Sequence, residues 1–165
     1  MVAHIAYWVL FAVMLFTTII FIATKRFTFI DFVVYLSFWA FSETIDILVL
    51  IQFQMYYYVN NQVNIIYALL YHCIVYPTFG LIFSRLFPKK REILNLVKYN
   101  VLWIIFNTVF ELVYVEATGT IVYLKWLVIP YSLLFYSVWT PLMTVYYLLV
   151  DKWLKKSFMD STKKV

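Results

Sequence analysis

Three acidic residues inside apolar segments are the part of this sequence that could carry chemistry. Glu43 and Asp46 lie in the apolar stretch from Thr28 to Phe53, and Glu111 lies in another apolar stretch. An ionised carboxylate that faces lipid costs several kcal/mol, so we expect these side chains to face protein or a water-filled cavity. Three such groups close together would repel one another, and protonation, a bound cation or access of water from outside would relieve that repulsion.

Two further polar residues, His72 and Asn107, occur at a similar depth. With a helical rise of about 1.5 Å per residue from the outer end of each predicted span, Glu43, His72 and Asn107 lie about 13 Å deep. Asp46 and Glu111 lie about 8–9 Å deep on the same scale. We therefore predict one shared site made by these five residues, with separate interhelical hydrogen bonds as the alternative.

Four of these residues could also form a metal site. Glu43, Asp46, His72 and Glu111 would supply carboxylate oxygens and one imidazole, a ligand set that suits Zn, Mn or Fe, although their spacing matches no recognised metal signature. The chain contains no nucleotide-binding loop and no HExxH or GxSxG motif. No catalytic residue is therefore assigned, and no cofactor is implied.

The composition of the chain predicts which secondary structure holds these residues. The 165 residues are 65% hydrophobic and only 13% charged, whereas soluble domains are about a quarter charged. This composition predicts an all-α membrane protein, a single domain with a bundle of about five transmembrane helices. The predicted spans are about 5–24, 28–53, 63–87, 99–115 and 121–150, followed by a short basic tail, 151–165. Pro77 is expected to kink the third span.

Basic residues predict the orientation of the bundle. In this arrangement 12 of the 13 Lys and Arg residues fall at one end, and only Lys125 falls at the other. Because Lys and Arg concentrate on the cytoplasmic side of membranes, we predict an outside N-terminus and a cytoplasmic C-terminus. The basic residues flank apolar spans, which favours anionic lipid and not nucleic acid as their partner. Asp31 is expected to form an interfacial ion pair with Lys25 and Arg26.

Several short landmarks follow one another between about residues 28 and 130. They are Ser42…Asp46, Tyr76-Pro77 followed by Phe87-Pro88, Trp103…Glu111, and Gly119 before Trp126. Their order resembles an uncharacterised family of small multi-pass membrane proteins from spore-forming Gram-positive bacteria of the Bacillus and Clostridium type. The family has no assigned activity, so the resemblance implies a bacterial cell membrane and no particular reaction.

Three functions remain open from the sequence, in order of preference, with the first only marginally ahead of the second. The chain could be a structural or accessory subunit whose acids pair with a basic residue in a partner's helix or in an oligomer. It could be a small transporter or cation-binding protein with an outward-facing acidic pocket. It could also be an intramembrane metal-dependent enzyme that acts on lipid, using Glu43, Asp46, His72 and Glu111.

Overall fold

Five helices and one short two-stranded ribbon make up the part of the protein that the structure describes. The computed structural model describes residues 2–24, 27–48, 53–58 and 65–162. The helices are α1 (Val2–Ala23), α2 (Phe29–Asp46), α3 (Ile65–Leu70 and Tyr76–Arg85), α4 (Ile93–Phe110) and α5 (Leu133–Thr162). Turns of π-helix interrupt or extend some of these helices. Turn π1 (Tyr71–Val75) lies within α3, turn π2 (Glu111–Glu116) extends α4, and the kinked turn π3 (Val128–Ser132) precedes α5. The structure therefore confirms the mostly helical class and the number of helices.

Four of the five helices are long and apolar enough to cross a membrane, namely α1, α3, α4 and the first part of α5. The exception is α2, which carries three acids within 18 residues. This helix was predicted over 28–53, and its regular α-helical part ends at Asp46. The predicted basic tail, 151–165, is helical as far as Thr162, since α5 continues through residue 151.

The ribbon occupies segments that the sequence reading assigned to a polar connection and to the start of the last span. Strand β1 (Tyr56–Tyr58) pairs antiparallel with β2 (Ile121–Tyr123), with Tyr57 opposite Val122. Aromatic and β-branched residues favour this extended conformation. Gly119 precedes β2 with a φ of 70°, a left-handed conformation in which glycine is least strained. As a result, the helical turn at the start of the last span begins at Val128 and not near residue 121.

Pro77 leaves a backbone carbonyl of its own helix without the usual donor, and a neighbouring helix supplies one. Proline has no N–H, so in a regular helix the carbonyl of Cys73, four residues earlier, would lose its partner. That carbonyl accepts a hydrogen bond of 2.5 Å from the Tyr35 hydroxyl of α2. The turn π1 ends directly before Tyr76, which places Pro77 in the first turn of the following α-helical segment. The irregularity in α3 thus also connects α3 to α2.

Aromatic rings and a few polar contacts hold the helices together. Gly80 lies against Phe38, since a Cβ atom added at Gly80 would meet the Phe38 ring at 2.5 Å. The Thr144 hydroxyl donates to Oδ1 of Asn100 at 2.9 Å and so joins α5 to α4. The Thr18 and Thr78 hydroxyls, 2.6 Å apart, join α1 to α3.

Ion pairs join the helix ends opposite the ribbon. Asp31, at the start of α2, is bound by Arg85 at the end of α3, with Nη2 and Oδ2 2.7 Å apart. Arg91, just before α4, contacts Asp151 of α5 at 2.6 Å. Asp31 therefore has Arg85 as its partner, whereas its predicted partners, Lys25 and Arg26, lie outside the described residues.

Candidate functional site

A cavity of about 210 Å³ lies between α2, α3, α4, α5 and the ribbon. Its wall is dominated by aromatic rings, which come from all of these elements. They are Phe38, Tyr56, Tyr71, Tyr76, Phe79, Phe83, Trp103, Phe110, Tyr123, Trp126, Phe135, Tyr136 and Trp139. Among the described residues of the wall, Glu111 is the only Asp, Glu, Lys or Arg. The cavity is thus an aromatic space with a single carboxyl group.

The turns π1, π2 and π3 each supply a non-aromatic or imidazole polar side chain to the cavity. His72 comes from π1, Glu111 from π2 and Ser132 from π3. A π-helical turn inserts an extra residue into the helix and rotates the side chains that follow, and such turns are frequent at functional sites. Three of them around one space indicate that local helix geometry is adjusted to shape this cavity.

Glu111 is 8% exposed and is held by hydrogen bonds at only one of its two carboxylate oxygens. Oε1 accepts hydrogen bonds from the Tyr123 hydroxyl and, at 2.8 Å, from the Ser132 hydroxyl. Burial, followed by the nearby Glu111 carboxylate, raises the pKa of the Tyr123 phenol, so Tyr123 remains a protonated donor. These two bonds tie the end of α4 to strand β2 and to the start of α5.

Trp126 determines which groups donate and which accept in these hydrogen bonds. Its indole Nε1 donates to the Ser132 oxygen at 2.7 Å, and an indole N–H can only donate. The single proton of the Ser132 hydroxyl is therefore directed to Glu111 Oε1, which accepts from both Ser132 and Tyr123. Oε1 is fixed as an acceptor, and any proton on Glu111 must sit on Oε2.

Oε2 of Glu111 is buried and has no hydrogen-bond partner among the described residues. The Tyr136 hydroxyl lies near the same carboxyl group and interacts with it electrostatically and as a weak hydrogen-bond donor, but its geometry with Oε2 falls outside that of a full hydrogen bond. An ionised Oε2 therefore lacks a well-aligned donor and a positive charge, and a protonated Oε2 would lack an acceptor. In either state this oxygen is an unsatisfied polar atom of the cavity wall, as is the buried Tyr71 hydroxyl. Buried groups of this kind call for an explanation, and Oε2 is the one that can carry a negative charge.

The structure brings three of the five predicted site residues to one cavity. His72, Asn107 and Glu111 line the wall, and the His72 ring stacks on Tyr76 with centroids 5.2 Å apart. Glu43 is half-buried and interacts with Cys73, but it is not one of the residues lining the cavity. The side chain of Asp46 lies outside the described part of the structure.

The structure brings together only some of the residues that the sequence suggested as metal ligands. Of its four candidate ligands, His72 and Glu111 share the cavity. Among the described residues, no three His, Cys, Asp or Glu side chains come close enough together to hold a metal ion. With one oxygen of Glu111 already occupied by two donors, the described cavity wall offers few of the ligands that a divalent ion requires.

Four residues of the site were not singled out from the sequence, namely Tyr123, Trp126, Ser132 and Tyr136. Ser132 was detectable in principle, because it is a hydroxyl within a predicted apolar span. Tyr123 and Trp126 are typical of a membrane interface, so their residue types did not distinguish them from the many other aromatic residues. Their role depends on the ribbon, which the sequence reading did not predict.

Comparisons of the chain with known protein families, with curated proteins and with solved structures found no match. The resemblance to the family of small membrane proteins from spore-forming bacteria therefore stays a prediction.

Proposed function

We propose that this chain is an integral membrane protein that binds a cation in the aromatic cavity, with Glu111 as the countercharge, as a small transporter or a cation-binding protein would. The observation that supports it is the buried, unpartnered Oε2 of Glu111 on the wall of a cavity of about 210 Å³. A cation beside Oε2 would satisfy it and would offset the cost of burying an ionised carboxylate.

The membrane arrangement belongs to the same proposal. All five helices cross the membrane, with the N-terminus outside and the C-terminus in the cytoplasm. The ion-paired end of the bundle contains the exposed basic residues Lys89, Lys90 and Lys98, which favours the cytoplasmic side for that end. The ribbon and the cavity then lie towards the outer surface, from which a cation would enter.

The accessory-subunit hypothesis is the second candidate. It requires intramembrane acids that pair with a partner's basic residue, and Glu111 is enclosed by its own chain. Glu43, which is half-buried and does not line the cavity, is the described acid that fits such pairing best. Crosslinking in native membranes, with a Glu43→Gln variant as control, would detect a partner held through this residue.

Stabilisation by ligand tests the cation site directly. The purified protein in lipid nanodiscs is heated with Na⁺, K⁺, Mg²⁺, Ca²⁺, Mn²⁺, Zn²⁺ and a series of organic ammonium ions. A bound cation at about 100 times its Kd should add about 2.7 kcal/mol to the free energy of unfolding and raise Tm.

The matched controls are Glu111→Gln and Glu116→Gln, since Glu116 is an exposed glutamate of the same turn π2. We expect Glu116→Gln to respond to the cation as the parent does and Glu111→Gln to lose the response. If no cation stabilises the parent more than Glu111→Gln, the proposed function is wrong.

A further inference from the structure

The cavity wall distinguishes between classes of cation, an inference that rests on the proposed function. An inorganic divalent ion takes four to eight ligands, about 2.0–2.6 Å away, most of them oxygen or nitrogen atoms of the protein or water. The wall offers one free carboxylate oxygen, and the described residues assemble no group of three metal-ligating side chains. Most of the remaining surface is aromatic and cannot replace the hydration shell of such an ion.

Aromatic faces are the natural complement of an organic cation. The negative face of an indole or phenol ring attracts an ammonium group within about 6 Å, most strongly where water is excluded. Trp103, Trp126 and Trp139 line the cavity from α4, the segment before π3, and α5. Such rings contact the alkyl groups that surround the ammonium nitrogen, while one carboxylate balances the positive charge of the ligand.

The wall rings are held in place by one another, which keeps the cavity shaped in the absence of a ligand. Trp139 stacks on Phe135 with centroids 5.8 Å apart and planes 14° apart. Phe79 meets Phe110 edge to face at 5.4 Å. Preformed walls reduce the side-chain entropy that binding would otherwise cost.

The size of the cavity bounds the ligand. An engineered cavity of about 150 Å³ in another protein accommodates benzene. A cavity of about 210 Å³ therefore has room for one ring, or an aliphatic group of similar bulk, together with a small ammonium head group.

We propose that the ligand is an organic ammonium ion, a quaternary or protonated amine with an apolar body of about one ring, whose nitrogen lies beside Oε2 of Glu111. Its apolar body packs against the aromatic wall. This assignment names the ligand class of the site, an organic ammonium ion in place of an inorganic divalent ion.

The test measures binding of benzyltrimethylammonium to the full chain in nanodiscs by isothermal titration calorimetry. Its uncharged carbon isostere, neopentylbenzene, serves as a competitor, because it has the same shape without the charge. We expect the ammonium to bind the parent and Glu116→Gln equally. We expect Glu111→Gln to raise its Kd by at least about tenfold, and the isostere to compete at least about tenfold less well than the ammonium.

A second variant separates the roles of ring and charge and covers the case in which Glu111→Gln does not fold. Trp139→Leu keeps the carboxylate and removes one ring face from the wall. We expect it to weaken binding of benzyltrimethylammonium about threefold or more and to leave any binding of inorganic cations unchanged.

Three other results would each contradict either the ligand class or the proposed function. If only inorganic cations bind, and benzyltrimethylammonium does not displace them, the ligand class is wrong while the cation site stands. If neopentylbenzene competes as well as the ammonium, the cavity recognises apolar shape, and both the ligand class and the proposed function fail. If neither class of cation binds the parent, both also fail.

Discussion

Two buried carboxylates, Asp31 at one end of the bundle and Glu111 at the other, have opposite environments. Asp31 is 4% exposed and accepts hydrogen bonds from the Thr28 backbone N–H and hydroxyl, from Ser84 and from Arg85. It also completes a capping box at the start of α2. Glu111 is 8% exposed, and its two donors share one oxygen.

The difference separates a structural carboxylate from a candidate binding carboxylate. At Asp31 the countercharge is Arg85, a residue of the same chain, and both carboxylate oxygens are occupied. At Glu111 one oxygen lacks a partner, and none of the described Lys or Arg residues lines the cavity. Both sites require burial of an acid, but only at Glu111 is the compensation left to a proton or a ligand.

Asp31→Asn should have the largest effect on stability. The amide removes the charge that Arg85 binds and places a donor where an acceptor is required. We expect the free energy of unfolding to fall by about 2–3 kcal/mol, less than for a fully buried pair because the Arg85 side chain is 29% exposed. Unfolding by SDS in mixed micelles measures this change. A loss below about 0.5 kcal/mol would remove the structural role assigned to Asp31.

Ser132→Ala should have an intermediate effect. It leaves the Trp126 indole N–H without its acceptor and removes one donor from Glu111, which together should cost about 1–2 kcal/mol. Ser137→Ala is the matched control on α5, since the exposed Ser137 hydroxyl bonds only to the Leu133 carbonyl of its own helix. Equal effects of the two variants on SDS-induced unfolding would contradict the network drawn around Glu111.

Arg91→Gln should have a small effect, although the ion pair with Asp151 is as short as that of Arg85 with Asp31. Asp151 is buried like Asp31, but the Arg91 side chain is 39% exposed against 29% for Arg85. Water therefore screens this pair more, and its contribution should approach that of exposed ion pairs, about 0–1 kcal/mol. We expect a loss of about 0.5 kcal/mol that declines further as salt is added. The control is Arg85→Gln, measured under the same conditions. If both variants lose equal stability, burial does not explain the difference between these ion pairs.

Glu111→Gln should have the smallest effect on the stability of the ligand-free protein. The glutamine carbonyl can still accept from Tyr123 and Ser132, and the cost of burying a charge disappears. We expect a change below about 0.5 kcal/mol or a gain in stability. The same unfolding assay, run beside Asp31→Asn, tests the comparison most directly. A loss as large as that of Asp31→Asn would show that Glu111 is a structural carboxylate.

The local features of the chain were readable from the sequence because they depend on short spacings. The cost of exposing a carboxylate to lipid predicted that Glu111 faces protein or a cavity, and Glu111 is buried. No local argument of this kind could identify Arg85 as the partner of Asp31, because 54 residues separate them. Glu43 is not among the residues that line the cavity, and its predicted depth could not decide this, because depth along a helix says nothing about the rotation of that helix relative to its neighbours.

The ribbon is a second feature that local sequence patterns could not predict. Runs such as Tyr56–Tyr58 and Ile121–Tyr123 are equally compatible with an interfacial loop, a strand or the end of an apolar helix. Their pairing is decided by contacts between segments more than 60 residues apart. Because Tyr123 reaches Glu111 only from this ribbon, missing the ribbon also meant missing half of the network at the site.

By itself, the sequence determined that this protein forms apolar helices, that acids are buried within them and that basic residues gather at one end. These properties follow from residue type and local period, which any packing of the helices must respect. Tertiary structure alone decided which acid is neutralised by its own chain and which faces a cavity. That outcome depends on the distance and rotation between helices, and these are set by the combined packing of aromatic rings, π-helical turns and the ribbon.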